Sequence, residues 1–171
     1  SISSNNNFDN DNSTSLAKAG DDVTIEFFTS EDIQEPVSTI SQGAASVSGS
    51  NAVWNAQITM DETDPDGPIA FNVDYKDLAG NEGVQATAIT AGTDVTYDDT
   101  SPTISSVSIV SNNAVTTLAK AGDIVTISFT SNEDLYVLDD VSVVGQSVDE
   151  ALITKTSGTA WTFDYVLTDT D

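Results

Sequence analysis

The chain carries one message twice. Ser15 to Asp32 (SLAKAGDDVTIEFFTSED) returns as Thr117 to Asp134 (TLAKAGDIVTISFTSNED), a shift of 102 residues. Ile2-Ser3-Ser4 recurs as Ile104-Ser105-Ser106 at the same shift. Trp54 to Asp64 realigns with Trp161 to Asp171 at a shift of 107, which predicts a five-residue insertion in the second copy. A period near 100 means beads of whole domains rather than a solenoid. Residues 1–101 read as one domain. Residues 102–171 read as a second copy that stops before its last two strands, and a slice through a longer array is the simplest account.

Two-residue alternation runs through both copies, and helical periodicity is missing. Val23, Ile25 and Phe27 share a face, repeated by Val125, Ile127 and Phe129. Trp54, Ala56, Ile58 and Met60 form a second inward face, matched by Trp161, Phe163, Tyr165 and Leu167. Ile69, Phe71, Val73 and Tyr75 form another, with shorter strands expected at Val37–Ile40, Ala44–Val47, Val84–Ala88 and Asp94–Tyr97. Val107 and Ile109 suit the first strand of copy two. Asn5–Asn12 is far more polar than Val107–Ala114, so the first strand of copy one is expected to fray. About seven short antiparallel strands per copy, separated by Gly, Asn, Asp and Ser clusters, point to all-β, tandem immunoglobulin-like sandwiches.

Four lysines face 28 Asp and Glu, for a formal charge of −24. That field repels nucleic acid and anionic membrane surfaces and attracts cations. The chain has no His, Cys or Arg, which removes imidazole and thiolate metal sites and the Ser-His and Cys-His nucleophiles. Carboxylates and carbonyls remain, hard donors suited to calcium. No apolar run is long enough for a membrane span, and no leader peptide is recognisable.

Asp77-Leu78-Ala79-Gly80-Asn81, followed by Tyr97-Asp98-Asp99-Thr100-Ser101-Pro102, resembles the D-x-A-G-N and D-x-T-x-P signatures of bacterial immunoglobulin-like repeat domains. SLAKAGD before a strand, SED after it, and a Trp opening a later strand fit the same pattern. Such domains stand in tandem along large secreted and cell-surface adhesins. The resemblance covers residues 1–101 and copy two from Pro102 onward. It implies an extracellular or cell-surface setting.

Sandwich topology decides which loops share an end. Glu31, Asp32, Asp77 and Asn81 are expected at the leading end of copy one. Asp21, Asp22, Asp61, Asp64 and Asp66 are expected at its trailing end with Asp98 and Asp99, where Glu133 and Asp134 of copy two would join them. Crowded carboxylates are costly unless solvated, protonated or bridged by a cation, and calcium accepts six to eight oxygens in flexible geometry. Calcium is therefore the expected ion. Asp9-Asn10-Asp11-Asn12-Ser13 and Glu62 to Gly67 imitate EF-hand loops, but the twelfth positions are Gly20 and Val73 instead of Glu. Asp169-Thr170-Asp171 begins the second of these turns again.

Trp54 and Trp161 open equivalent apolar strands and belong to the core rather than to a sugar platform. Lys18 and Lys120 are solvated turn residues. The expected function is a non-enzymatic spacer, its linkers rigidified by calcium and its partners neighbouring repeats of the same or identical chains. Alternatives are a filament subunit assembled by strand addition between chains, and a module whose loops bind a glycan or protein, for which Phe8 and Tyr136 are the loop aromatics.

Overall fold

The computed structural model describes residues 1–6, 15–135, 138, 141–143, 145–147 and 153–169. Asp9–Asn12, Phe8, Tyr136 and Thr170–Asp171 lie outside them. The chain is all-β, without a helix among the described residues. It divides into two compact units, Ser1–Thr100 and Ser101–Asp171.

Unit 1 begins with β1 (Ile2–Ser4), β2 (Leu16–Ala17) and β3 (Asp22–Phe28). It continues with β4 (Val37–Ile40), β5 (Gly43–Ala44), β6 (Ser46–Ser50) and β7 (Val53–Thr59), and ends with β8 (Gly67–Pro68), β9 (Phe71–Asp74) and β10 (Thr96–Tyr97). One antiparallel sheet has the order β1-β3-β7-β6. The other pairings are β5-β4-β9 and β2-β10-β8, with β2 and β10 running parallel. Alternation in β3 and β7 turns Val23, Ile25, Ala56 and Met60 onto one face. There they share a core with Ile2 of the same sheet, with Ala17, Ile40 and Tyr97 from the other pairings and with Val95, against which Phe27, Ile58 and Phe71 pack. Trp54 and Val73 are buried as well, whereas Tyr75 is half-buried.

Unit 2 contains β11 (Ile104–Ser111), β12 (Ile124–Ser131), β13 (Ser142–Val143), β14 (Gln146–Ser147), β15 (Ile153–Lys155) and β16 (Ala160–Val166). Its main sheet runs β11-β12-β16-β15. Phe27 faces Trp54 across β3 and β7, and Phe129 faces Trp161 across β12 and β16. Ile25 opposite Ala56 returns as Ile127 opposite Phe163. The shifts of 102 and 107 read from the sequence are thus the shifts of the strand register at these positions.

Two expectations about strands are corrected. Ile2 pairs with Ile25, and the residue that pairs with the equivalent Ile127 is Ile109, not Ile104. The first strand therefore repeats at a shift of 107, Ser1–Asn6 (SISSNN) matching Ser108–Asn113 (SIVSNN). Hydrogen bonds confirm the match. Asn5 Oδ1 accepts Asp22 N–H at 2.7 Å, and Asn112 Oδ1 accepts Ile124 N–H at 2.9 Å. Ser4 and Ser111 each accept the N–H two residues on at 3.1 Å. Asn5 and Asn6 cap the end of a short strand, and the rest of the polar stretch, 7–12, lies outside the described residues. The second correction is Val84–Ala88, which forms only the single bridge from Ala86 to Val73.

Candidate functional site

The turn Ala17-Lys18-Ala19-Gly20-Asp21 shows what an aspartate does in this chain. Gly20 adopts a left-handed φ of 90° that a side chain would strain. Asp21 Oδ2 accepts Lys18 N–H at 2.8 Å, while Asp21 N–H donates to Lys18 O at 3.1 Å. Gly20 N–H then reaches Met60 O at 2.9 Å, tying the turn to the end of β7. Unit 2 builds the same object. Asp123 Oδ2 accepts Lys120 N–H at 2.9 Å, Gly122 has φ 86°, and its N–H reaches Leu167 O at 2.8 Å. Asp123 is held below the usual carboxylate range by the Asn113 amide and then by the Lys120 N–H.

Four of the expected metal ligands surround one buried hydroxyl. Tyr97, 1% exposed, donates its O–H to Asp61 O at 2.8 Å. Burial raises its pKa, and the charges of Asp99, Asp64, Asp66 and Asp61 raise it further. The carboxylates themselves are engaged by their own loops. Asp61 Oδ1 accepts both the N–H and the hydroxyl of Thr63, at 2.7 and 2.6 Å. Asp64 takes Ser41 Oγ at 2.5 Å and Asp61 N–H at 2.9 Å. Asp66 takes Asp99 N–H at 2.9 Å and the Thr100 hydroxyl at 2.5 Å. Donors that bind the charged form favour it, so Asp61 and Asp66 lie below the ordinary value, chiefly through Thr63 and Thr100 respectively. Asp99 Oδ1 accepts Ala19 N–H at 3.3 Å, and Asp98 Oδ1 accepts Thr100 N–H at 3.2 Å. Asp22 Oδ1 takes the Thr59 hydroxyl at 2.6 Å.

The leading-end residues behave similarly. Asp77 accepts the Asn81 N–H at 2.8 Å and the Asn81 amide at 2.6 Å, and Asp77 N–H returns to Asn81 O at 3.0 Å. With Gly80 at φ 94°, the Asp-Leu-Ala-Gly-Asn motif is a closed turn, and Asn81 spends its amide inside it. That amide is the main cause of a lowered pKa at Asp77. Glu31 and Asp32 are exposed at the end of β3, where Glu31 O accepts the Thr29 hydroxyl at 2.7 Å. In unit 2, Glu133 O accepts the Ser131 hydroxyl, Asp134 pairs with Lys155, and Glu133 Oε1 is buried without a partner among the described residues.

The structure thus brings Asp61, Asp64, Asp66 and Asp99 to one end of unit 1 and sets each into a turn. Among the described residues, no group of three or more carboxylates is placed to hold a metal ion. Sequence reasoning missed the hydroxyl partners Ser41, Thr63, Thr100 and Tyr97. The Asp61-Glu62-Thr63 spacing was the available signal, since Asp side chains bond donors two residues on. Comparison with protein-family models, curated proteins and solved structures finds no match.

Proposed function

We propose that the chain is a spacer, or stalk, segment of an extracellular or cell-surface adhesin, built from immunoglobulin-like β-sandwiches and stiffened by calcium. One observation carries the spacer reading: the Lys-Ala-Gly-Asp turn closes through the same four backbone and side-chain bonds in both units. A repeat array needs one self-sufficient turn and one register used again, and a unique reactive site is no part of it.

The sandwich reading draws on strand order. The set β1-β3-β7-β6 corresponds to the A-B-E-D sheet of immunoglobulin domains. Strand β4 beside β9, with β8 beside β10, corresponds to C-F-G, and one core joins both sets. The chain departs from antibody domains in having no disulfide and in placing Trp54 on the E-like strand.

Calcium is favoured by the charge of −24, by an all-oxygen donor inventory and by the carboxylates around Tyr97. The turn hydrogen bonds compete with it. A protein with two complete repeats should lengthen in solution scattering and melt higher when calcium is added. Asp98→Asn with Asp99→Asn should abolish both responses. Superimposed profiles with calcium and with chelator would remove calcium and leave the spacer. Hydrolytic turnover that survives repurification and vanishes in Asp61→Asn would remove the spacer itself.

A further inference from the structure

Unit 1 contains a cleft of about 710 Å³ that no sequence motif marks. It opens because residues 84–94 do not complete a strand beside β9. Val73 and Ala86 exchange two hydrogen bonds, at 2.9 and 3.1 Å, and the chain then moves away until it pairs again at Thr96. Ala88, Ile89 and Ala91 line that side, too small to fill the space. The opposite wall is apolar and aromatic, with Phe27, Ile33, Phe71 and Tyr75. The rim is acidic, carrying Glu31, Asp77 and Glu82 and no lysine.

The aromatic wall is a built feature. The Tyr75 ring lies flat on Gly83, so that a Cβ on Gly83 would overlap its Cδ2, Cε2 and Cζ atoms. Gly83 N–H also donates to Tyr75 O at 2.9 Å. The backbone therefore fixes the ring at the mouth of the cleft, half-buried. Lys76 pairs with Glu82 at 3.2 Å, and the Ser1 ammonium is taken up by Glu26 O at 2.8 Å. Glu31 and Asp77 still leave an excess of negative charge above an apolar floor.

We propose that this cleft binds a small organic cation with an aromatic or aliphatic body. Its volume lies in the range of about 300–1,000 Å³ common to small-molecule sites. Aromatic faces and carboxylates both attract an ammonium, and a desolvated aromatic contact strengthens the first of these attractions. An apolar body displaces water from Phe27 and Phe71, which supplies the remainder of the affinity. A neutral ligand forgoes the rim, and an anion is repelled by it.

The experiment titrates the full chain with phenylbutylammonium, phenylbutanol and phenylbutyrate, following amide shifts by NMR. The cation should bind at least tenfold more tightly than the alcohol, the carboxylate should not bind, and the shifts should fall on Phe27, Phe71, Tyr75 and Gly83. Gly83→Ala keeps the net charge but drives the Tyr75 ring from its seat, and should weaken the cation at least tenfold. Glu31→Gln with Glu82→Gln, on the exposed rim, should bring the cation down to the level of the alcohol. Equal affinities for cation and alcohol would overturn the proposal. So would shifts spread over all the acidic loops, or cation binding unchanged by Gly83→Ala or by the double Gln variant; each would mean that the net charge alone gathers cations.

Discussion

Unit 1 and unit 2 each build a main sheet of the same strand order and differ in what covers it. The order, the register and the turn that enters the second strand are the same. Yet Ile2 is 6% exposed and its equivalent Ile109 is 65% exposed. Ala17 is buried beside β10, while the matching Ala119 is exposed. Among the described residues, unit 2 buries only Val125, Val143, Trp161 and Phe163 of its apolar side chains, and of these Val143 and Phe163 form one cluster with half-buried neighbours. Register and turn closure are therefore local properties, written in short stretches of sequence and indifferent to burial. Burial is the property that a second layer supplies, here β4 and the Gly67–Tyr97 region.

The two tryptophans refine the contrast. Both are 7% exposed. Trp54 Nε1 donates to Asn51 O at 3.0 Å, an acceptor presented by a tight turn in which Asn51 has φ 58°. Gly49 faces Trp54 across β6 and β7, where a Cβ would press on the indole. Lys155 holds the corresponding place opposite Trp161, its ammonium 5.4 Å from the ring centroid. Four residues separate Gly49 from Trp54 and five separate Lys155 from Trp161. The longer turn carries the carbonyl away, and Trp161 Nε1 has no hydrogen-bond partner among the described residues.

The largest expected effect tests the difference in cover. Trp54→Ala should cost about 3–5 kcal/mol, the usual range for an aromatic removed from a packed core. Trp161→Ala should cost less than half as much: the two rings are equally buried, but Trp161 packs in a unit with a smaller core, and its Nε1 has no hydrogen-bond partner to lose among the described residues. Hydrogen exchange at the amides of Ile25 and Ile127 in the intact chain reads both, and equal losses would break the comparison. Ile2→Ala should come next, at about 2–3 kcal/mol, against about 0.5 or less for Ile109→Ala. Comparable effects there would mean that Ile109 is covered in solution.

A third pair of variants tests the similarity. Asp21→Ala and Asp123→Ala each remove a carboxylate from the same turn, so their losses should be alike and smaller than that of Ile2→Ala. A marked inequality would show that the turn depends on the layer beyond it. The smallest effects are those of pH. Asp61, Asp66 and Asp77 in unit 1 and Asp123 in unit 2 are all lowered from 3.8. Their stabilisation is complete above about pH 4 and is lost as pH falls through the folded values. Unit 1 should lose more of it, and Asp77→Asn should flatten its acid limb. At the alkaline end, Tyr97 is raised from 10.0, so its contribution is lost as pH climbs past that value. Tyr97→Phe should remove that loss from unit 1 and leave unit 2 untouched.

Alternation and duplication make β3, β7, β12 and β16 readable, because period-two patterns with one buried face fix a strand and its register together. The first strand misleads for an instructive reason. Ile-Ser-Ser recurs at a shift of 102, but hydrogen bonding selects the longer match at 107 that ends in the Asn caps. Val84–Ala88 alternates like a strand and fails as one: Val84 is 86% exposed, and Gly83 gives its space to the Tyr75 ring. Which acidic residues share an end was legible from topology, as Asp61, Asp64, Asp66 and Asp99 show. Their engagement in turns was less so, since it depends on hydroxyls that neighbouring loops bring from up to 34 residues away, as Thr100 does for Asp66. The cleft left no trace in the sequence, being the product of a strand that does not form.

The offset between the copies is 107 residues in the first strand, 102 from Ser15 through Asp32, and 107 again from Trp54 onward. Copy two is therefore five residues shorter before the Lys-Ala-Gly-Asp turn and five longer after it. In genetic terms, that turn is a safe crossover point. An exchange within the shared Leu-Ala-Lys-Ala-Gly-Asp segment would join the first strand of one copy to the later strands of the other with the register of the main sheet kept. Such a hybrid would inherit a main sheet already in register.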